Sequence, residues 1–399
     1  MGFATDTEGR TSHIVNMADS LGIPAVVGLK RVTRQASPGD LIIIDGNDGY
    51  VHINPPPEVV RSYRKKKRAQ EDLRKELVKL KDKAPVTRCG TNIDLCVNIE
   101  SSGEASSVQE YGASGIGLFR TEFMYINRKT LPEEEEVYSE IKEVAEMAHP
   151  KPVVVRTIDL GADKMAEQLN MKPEMNSFMG MRGIRLSLAY PGLFKTHLRA
   201  ILRASVKGNL VLMYPMITGI KELRSANHIL REVKEDLDAS GIEYDKNLKV
   251  GVMVETPAAV IEIERLARDA DFLSIGTNDL IQYSLAVDRI SDGVSHLYNP
   301  SDLAILGMLR MVIEAGRKFS RPVSMCGEMA SDEFYTELLI GMGLRSFSMS
   351  GVGLPAIKQV VINADIEKCR LLAEEVLAAD DNAEVIEILR DNRRQKRQF

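Results

Sequence analysis

From Pro85 onward the chain alternates two hydrophobic patterns. Short apolar runs recur, centred near Cys89 (TRCGTNIDL), Leu118 (GIGLFR), Val154 (PVVVRT), Leu212 (LVLMYP), Met253 (KVGVMVE), Leu273 (FLSIGT), Met325 (PVSMCG) and Phe347 (SFSMSG). Amphipathic or acidic stretches separate them, for example 133–148, 221–238 and 301–318. Strand-like runs alternating with helical stretches predict parallel strands joined by helical crossovers. Eight such units between residues 85 and 399 suit an α/β fold, a closed (β/α)8 barrel of the TIM type. An open doubly wound sheet is the alternative, but a G-x-G-x-x-G fingerprint after a first strand is missing.

Upstream the pattern changes. Residues 1–57 mix short apolar runs with Gly and Pro and end at Pro55-Pro56-Pro57. Residues 58–84 are densely charged, with Leu73, Leu77 and Leu80 spaced to share one helical face. Three regions are expected: 1–57, a helical linker at 58–84, and the barrel at 85–399.

Charge sharpens the linker. Residues 61–83 hold eleven basic residues against four acidic ones, a local excess of seven, so the remainder of a chain of net charge −5 carries −12. That acidic bulk argues against general nucleic-acid affinity. Tyr63 is the segment's sole aromatic, so a solvated helix is expected rather than a stacking surface. The basic tail (Arg393, Arg394, Lys396, Arg397) is expected to fray. With 44% hydrophobic and 27% charged residues, disorder is excluded as the dominant state. No run nears the ~20 apolar residues of a spanning helix. No signal-peptide pattern opens the chain, where Gly2-Phe3-Ala4 is followed by Thr5-Asp6-Thr7-Glu8. Cys89, Cys96, Cys326 and Cys369 fit neither zinc-site nor redox-pair spacing, and a reducing cytoplasm is the expected setting.

In a (β/α)8 barrel, chemistry sits where strands end. Strand two ends in Arg120-Thr121-Glu122, strand three in Arg156-Thr157, and strand five in Glu255-Thr256-Pro257. Strand six ends in Thr277-Asn278-Asp279 and strand seven in Cys326-Gly327-Glu328. Arg120 and Arg156, on adjacent strands, can converge for a bidentate grip on carboxylate or phosphate. Ion pairs with Glu122 or Asp159 are the alternative. Glu255 and Asp279, beside neutral Asn278, suit a hard cation such as Mg2+, which combines one or two protein carboxylates with water and substrate phosphate. Helix capping by Asp279 is the alternative. Arginines and a metal in one mouth describe a small phosphorylated anion as substrate. Cys326 is either a thiol facing the mouth, as proton donor or nucleophile, or a small buried hydrophobe. The last reading is the one expected for Cys89, Cys96 and Cys369.

Gly9-Arg10-Thr11-Ser12-His13 precedes a short helical run that stops at Gly22. Thr11 or Ser12 can cap that helix, which puts His13 at its N-terminus, where backbone N–H groups favour a phosphoryl group. Neutral imidazole is a competent nucleophile at pH 7. His52, His149, His197, His228 and His296 show no comparable setting.

With these residues in place, the chain resembles the phosphoenolpyruvate-utilising enzymes, in particular the Enzyme I family of the sugar phosphotransferase system (phosphoenolpyruvate–protein phosphotransferases). The most specific segment is DFLSIGTNDLIQYSLAVDR, 271–289; GIGLFRTEF, VVVRTIDLGADK, MGMRGIR, VGVMVETPAA and MCGEMA are also in register. The resemblance runs from about residue 5 to about 380. It implies that 1–57 is part of a swivelling phosphohistidine domain, that 58–84 is a hinge arm, and that 85–399 binds phosphoenolpyruvate and dimerises. It implies that Arg120, Arg156, Arg289 and the Asn278–Asp279 pair bind phosphoenolpyruvate and that Glu255 and Asp279 hold Mg2+. Cys326 would protonate the pyruvate enolate. His13 would accept the phosphoryl group and, in the intact family, pass it to a histidine of the carrier HPr, the first step of sugar uptake. Lys164 and Arg182 also match positions in the mouth.

Two departures qualify the resemblance. The family's helical HPr-docking region, inserted upstream, is expected to be absent, together with the first strands around the histidine. In the His13 loop, Glu8 replaces a Gly and Asp19 stands where Arg is usual, so weaker phosphohistidine formation is expected. Two other readings compete: a relative of pyruvate phosphate dikinase or phosphoenolpyruvate synthase, and a non-catalytic barrel that only binds phosphoenolpyruvate.

Overall fold

In the computed structural model, residues 2–6, 23–46, 48–126, 128–169, 176, 178–291 and 293–396 are described. Eight strands close into a barrel: β1 (Asp94–Ile99), β2 (Ile116–Arg120), β3 (Val153–Arg156), β4 (Leu210–Tyr214), β5 (Lys249–Val254), β6 (Phe272–Ile275), β7 (Val323–Met325) and β8 (Ser346–Met349). Each strand pairs in parallel with its neighbour in sequence, and β8 closes on β1. The open sheet is thereby excluded.

Helices cross over between the strands where the 3.6-residue pattern predicts them, at Glu134–Ala148, Ile220–Ala239 and Leu303–Lys318. Their starts are chemically marked. Asp302 accepts from the N–H of Ala304 and Asp332 from that of Phe334, each side chain satisfying a donor the helix leaves open. The main core lies between strands and helices. Inside the barrel, Leu118, Met213, Met253, Phe272 and Cys326 form a second cluster. Gly251 makes room there, because a Cβ at that position would lie 2.3 Å from the Phe272 ring.

The first strand lies downstream of its expected centre. Cys89 is exposed in a turn beside Gly90 (φ +83°), and β1 begins only where the apolar run Ile93–Ile99 takes over. The expectation of a buried Cys89 is therefore corrected, whereas Cys96 and Cys369 are buried. Arg393, Arg394 and Lys396 of the basic tail do not fray: they lie in helix Asn382–Lys396, anchored by buried Val385 and Leu389, whereas Arg397 lies outside the described residues.

Before the barrel, Phe3–Ala4 pairs with Ala25–Val26, and Ile42–Asp45 forms an antiparallel hairpin with Tyr50–Ile53. The charged segment is a helix, Pro57–Val78, begun by prolines that fit a first turn. Lys66 on it pairs with Asp45 and, at 2.6 Å, Asp48, and His52 meets the Tyr63 hydroxyl at 3.2 Å. The chain just beyond the helix is fastened to the barrel. Buried Lys358 donates to the carbonyls of Leu80 (3.3 Å), Lys81 (2.9 Å) and Gly112 (3.3 Å).

Candidate active site at the barrel mouth

Strand register decides which side chains meet. Arg120 is paired with Arg156 across β2 and β3, and Ile275 is in register with Val254 and with Met325. The residues that follow (Glu255, Gly276 and Cys326) therefore emerge level with one another. A cavity of about 250 Å³ opens here, lined by Arg120, Arg156, Glu255, Asn278, Asp279, Arg289 and Cys326. The seven barrel residues assigned to substrate, metal or proton transfer thus share one cavity, whereas Lys164, also matched to the mouth, is not among its lining residues. Glu122, Asp159 and Arg182 complete its ionic wall.

The arginines are held by carboxylates. Arg156 is 8% exposed; its two terminal nitrogens reach Glu122 Oε1 and Asp159 Oδ2, each at 2.9 Å. The ion-pair alternative for Arg156 is therefore realised without removing it from the cavity. Arg120 pairs instead with Glu100, at 2.8 Å. Arg182 bridges Asp159 (2.9 Å) and Asp279 (3.1 Å), so it is central to the mouth. Asp279 does not cap a helix: it sits in the first turn of Thr277–Leu285 and turns its carboxylate to Arg182. Asn278 faces Glu328, donating to Oε1 at 3.1 Å and accepting from the Glu328 N–H at 2.8 Å. Lys164 is exposed on helix Ala162–Leu169.

Asp159, Glu255 and Asp279 each offer a carboxylate oxygen within 4.8 Å of the others. All three are buried. Burial, then the charges of Asp159 and Asp279, holds the Glu255 carboxyl well above the usual carboxylate range. Burial also works against ionised Asp279, but Arg182 and Arg289 outweigh it and keep this group low. Three hard oxygen donors crowded with negative charge fit a divalent cation, which favours the ionised form of each. Asp159 joins this cluster although its spacing, three residues after Arg156, reads in the sequence as a local ion pair.

Behind the mouth, hydrogen bonds fix the strand ends. The Thr121 hydroxyl donates to the Arg156 carbonyl at 2.9 Å. A carbonyl only accepts, so Thr121 in turn accepts from His197 Nε2–H at 3.5 Å, and His197 Nδ1 accepts from the Tyr125 hydroxyl at 2.7 Å. His197 is fully buried, and burial pushes its pKa down to about 3 from 6.5. Between these values the unfolded chain binds a proton that the folded chain refuses. This contribution to stability is complete above pH 6.5 and falls by about 1.4 kcal/mol per pH unit below it. Urea midpoints should drop between pH 6.5 and 4, and drop less steeply in His197→Gln. Equal slopes in the two proteins would show that His197 does not carry the effect.

The family model described as "PEP-utilising enzyme, PEP-binding domain" matches residues 74–366, and that for "PEP-utilising enzyme, mobile domain" matches residues 1–49. The chain belongs to the phosphoenolpyruvate-utilising enzymes. Among curated members, the phosphoenolpyruvate-protein phosphotransferase of Bacillus sp. (strain S) is 46% identical over 390 residues, covering 98% of this chain and 67% of that protein. The Priestia megaterium protein of the same name is 45% identical over 392 residues, covering 98% and 68%. That of Staphylococcus aureus (strain MRSA252) is 45% identical over 388 residues, covering 97% and 68%. The chain thus spans about two thirds of the length of the curated relatives it matches. Within this phosphoenolpyruvate-utilising enzyme, His13 falls in the mobile-domain match but lies outside the described residues, as do Glu8 and Asp19. No helix among the described residues is long and apolar enough to cross a membrane.

Proposed function

We propose that the chain acts as a phosphoenolpyruvate-protein phosphotransferase, moving the phosphoryl group of phosphoenolpyruvate to His13 and releasing pyruvate. The observation that carries this reading is the convergence, on one cavity of about 250 Å³, of arginines from adjacent strands, a three-carboxylate cluster and a thiol. Relatives named as protein phosphotransferases, at 45–46% identity, favour it over a dikinase.

Arg120, Arg156 and Arg289 bind the carboxylate and phosphate of the substrate, with Asn278 and Asp279 at its edge. Glu255 and Asp279, joined by Asp159, would hold Mg2+, which would supply positive charge against the transferring phosphoryl group and the enolate. His13 attacks phosphorus as the bond to the enol oxygen breaks. The leaving enolate takes a proton at C3 from the Cys326 thiol. For His13 to reach the mouth, residues 1–57 swing on the 58–84 arm. HPr is the expected onward acceptor, the barrel at 85–399 the dimerisation region, and the cytoplasm the compartment.

Incubation with 32P-labelled phosphoenolpyruvate and Mg2+ should give an acid-labile phosphoprotein and an equal amount of pyruvate. His13→Ala should take up no label. A His13→Ala protein labelled as strongly as the parent would refute the assignment.

A further inference from the structure

Cys326 is not an isolated thiol. It follows β7 and is 5% exposed, with one side on the cavity. On its other side lies Ser274, the third residue of β6, fully buried inside the barrel. The Ser274 hydroxyl donates to Cys326 Sγ at 3.5 Å, and the thiol is 3.6 Å from the Ile275 carbonyl, which can only accept its proton. The direction of both bonds is therefore set: Ser274 O–H to sulfur, S–H to the Ile275 carbonyl. The backbone here is fixed as well. Asn98 donates to the carbonyls of Cys326 (3.3 Å) and Ser348 (3.4 Å), and its own oxygen accepts from the Ser348 hydroxyl at 2.6 Å. Gly327 brings the following turn close, since a Cβ there would lie 1.8 Å from Thr277 Oγ1.

We infer that Ser274 is a positioning residue for the protonation step: its hydroxyl fixes the Cys326 sulfur at the cavity wall and stabilises the thiolate left when the thiol has given up its proton. The inference rests on the reading of Cys326 as proton donor given above. In the step, the S–H turns from the Ile275 carbonyl to the enolate, its bond breaks, and the proton bonds to C3, whose electron pair forms the new C–H bond. The thiolate that remains keeps the Ser274 hydrogen bond until water restores its proton. In reverse, the thiolate takes a proton from the methyl group of bound pyruvate. Burial alone makes the thiolate costly, and within the barrel Ser274 supplies a donor to offset that cost.

The reverse step gives the test. The protein with Mg2+ and pyruvate in D2O should exchange pyruvate methyl protons for deuterium, read by proton NMR. Ser274→Ala should slow this exchange about tenfold, the effect of one hydrogen bond to a charged group. Calorimetric affinity for phosphoenolpyruvate should stay within about twofold of the parent, because Ser274 faces the sulfur and not the substrate. Cys326→Ala should abolish exchange. If Cys326→Ala exchanges as fast as the parent, the proton-donor reading fails and this inference with it. If Cys326→Ala is dead while Ser274→Ala matches the parent, only the role of Ser274 is overturned. An Ser274→Ala protein that loses phosphoenolpyruvate affinity in proportion to its exchange rate would mark a general packing defect and also overturn it.

Discussion

Arg156→Lys is expected to lower kcat/KM for phosphoenolpyruvate by at least about 100-fold. Two nitrogens of the Arg156 guanidinium reach two different carboxylates, Glu122 and Asp159, each at 2.9 Å. A lysine ammonium is one point of charge on a flexible stem. It cannot span both carboxylates and still present a planar donor pair to a phosphoryl group. The loss should appear mainly in kcat, since the fork matters most where phosphoryl charge develops. Arg156→Ala is a different experiment. It leaves Glu122 (8% exposed) and Asp159 (7% exposed) without this buried cation, so about 3–5 kcal/mol of stability should go as well. Pyruvate release in a coupled assay reads the first effect and urea denaturation the second. A lysine variant within fivefold of the parent would rule out bidentate binding as the role of Arg156.

The second large effect concerns the cation. Asp159→Asn should weaken Mn2+ binding, followed by electron paramagnetic resonance, at least by the 10–100-fold typical of losing a supporting group at a metal site. Asp279→Asn and Glu255→Gln should do the same. Asp159 is the informative member, because only the three-dimensional cluster puts it beside the other two carboxylates; a two-carboxylate site of Glu255 and Asp279 would leave Asp159→Asn close to the parent. That result would return Asp159 to a purely ionic role between Arg156 and Arg182.

Much of the barrel was legible because its strands and helices differ in hydrophobic period, and period is a local property. Seven of the eight expected centres fall on strands at the positions read from the sequence. The first was misplaced because TRCGTNIDL joins a turn to a strand, and Gly90 with positive φ belongs to the turn. Cys89 is exposed because it lies in that turn. The order of the tail is not legible, because its composition is polar while its two anchors, Val385 and Leu389, are sparse.

Site residues were legible at strand ends, where a charged residue directly follows an apolar run. Partners were not. Arg120 reaches Glu100, which precedes it by 20 residues, and Arg182 reaches Asp279, 97 residues away. Ser274 looked like one more residue of a buried strand, and its hydroxyl acquires meaning only from Cys326, 52 residues on.

The sequence by itself therefore determined the order of elements, the closed (β/α)8 class and the residues that would stand at the strand ends, because alternation and periodicity act over a few residues. Only the tertiary structure decided the register that levels Glu255, Gly276 and Cys326, the entry of Asp159 into the carboxylate cluster, and the pairing of Ser274 with the thiol. Those outcomes depend on strands far apart in the chain being brought side by side at fixed height when the barrel closes.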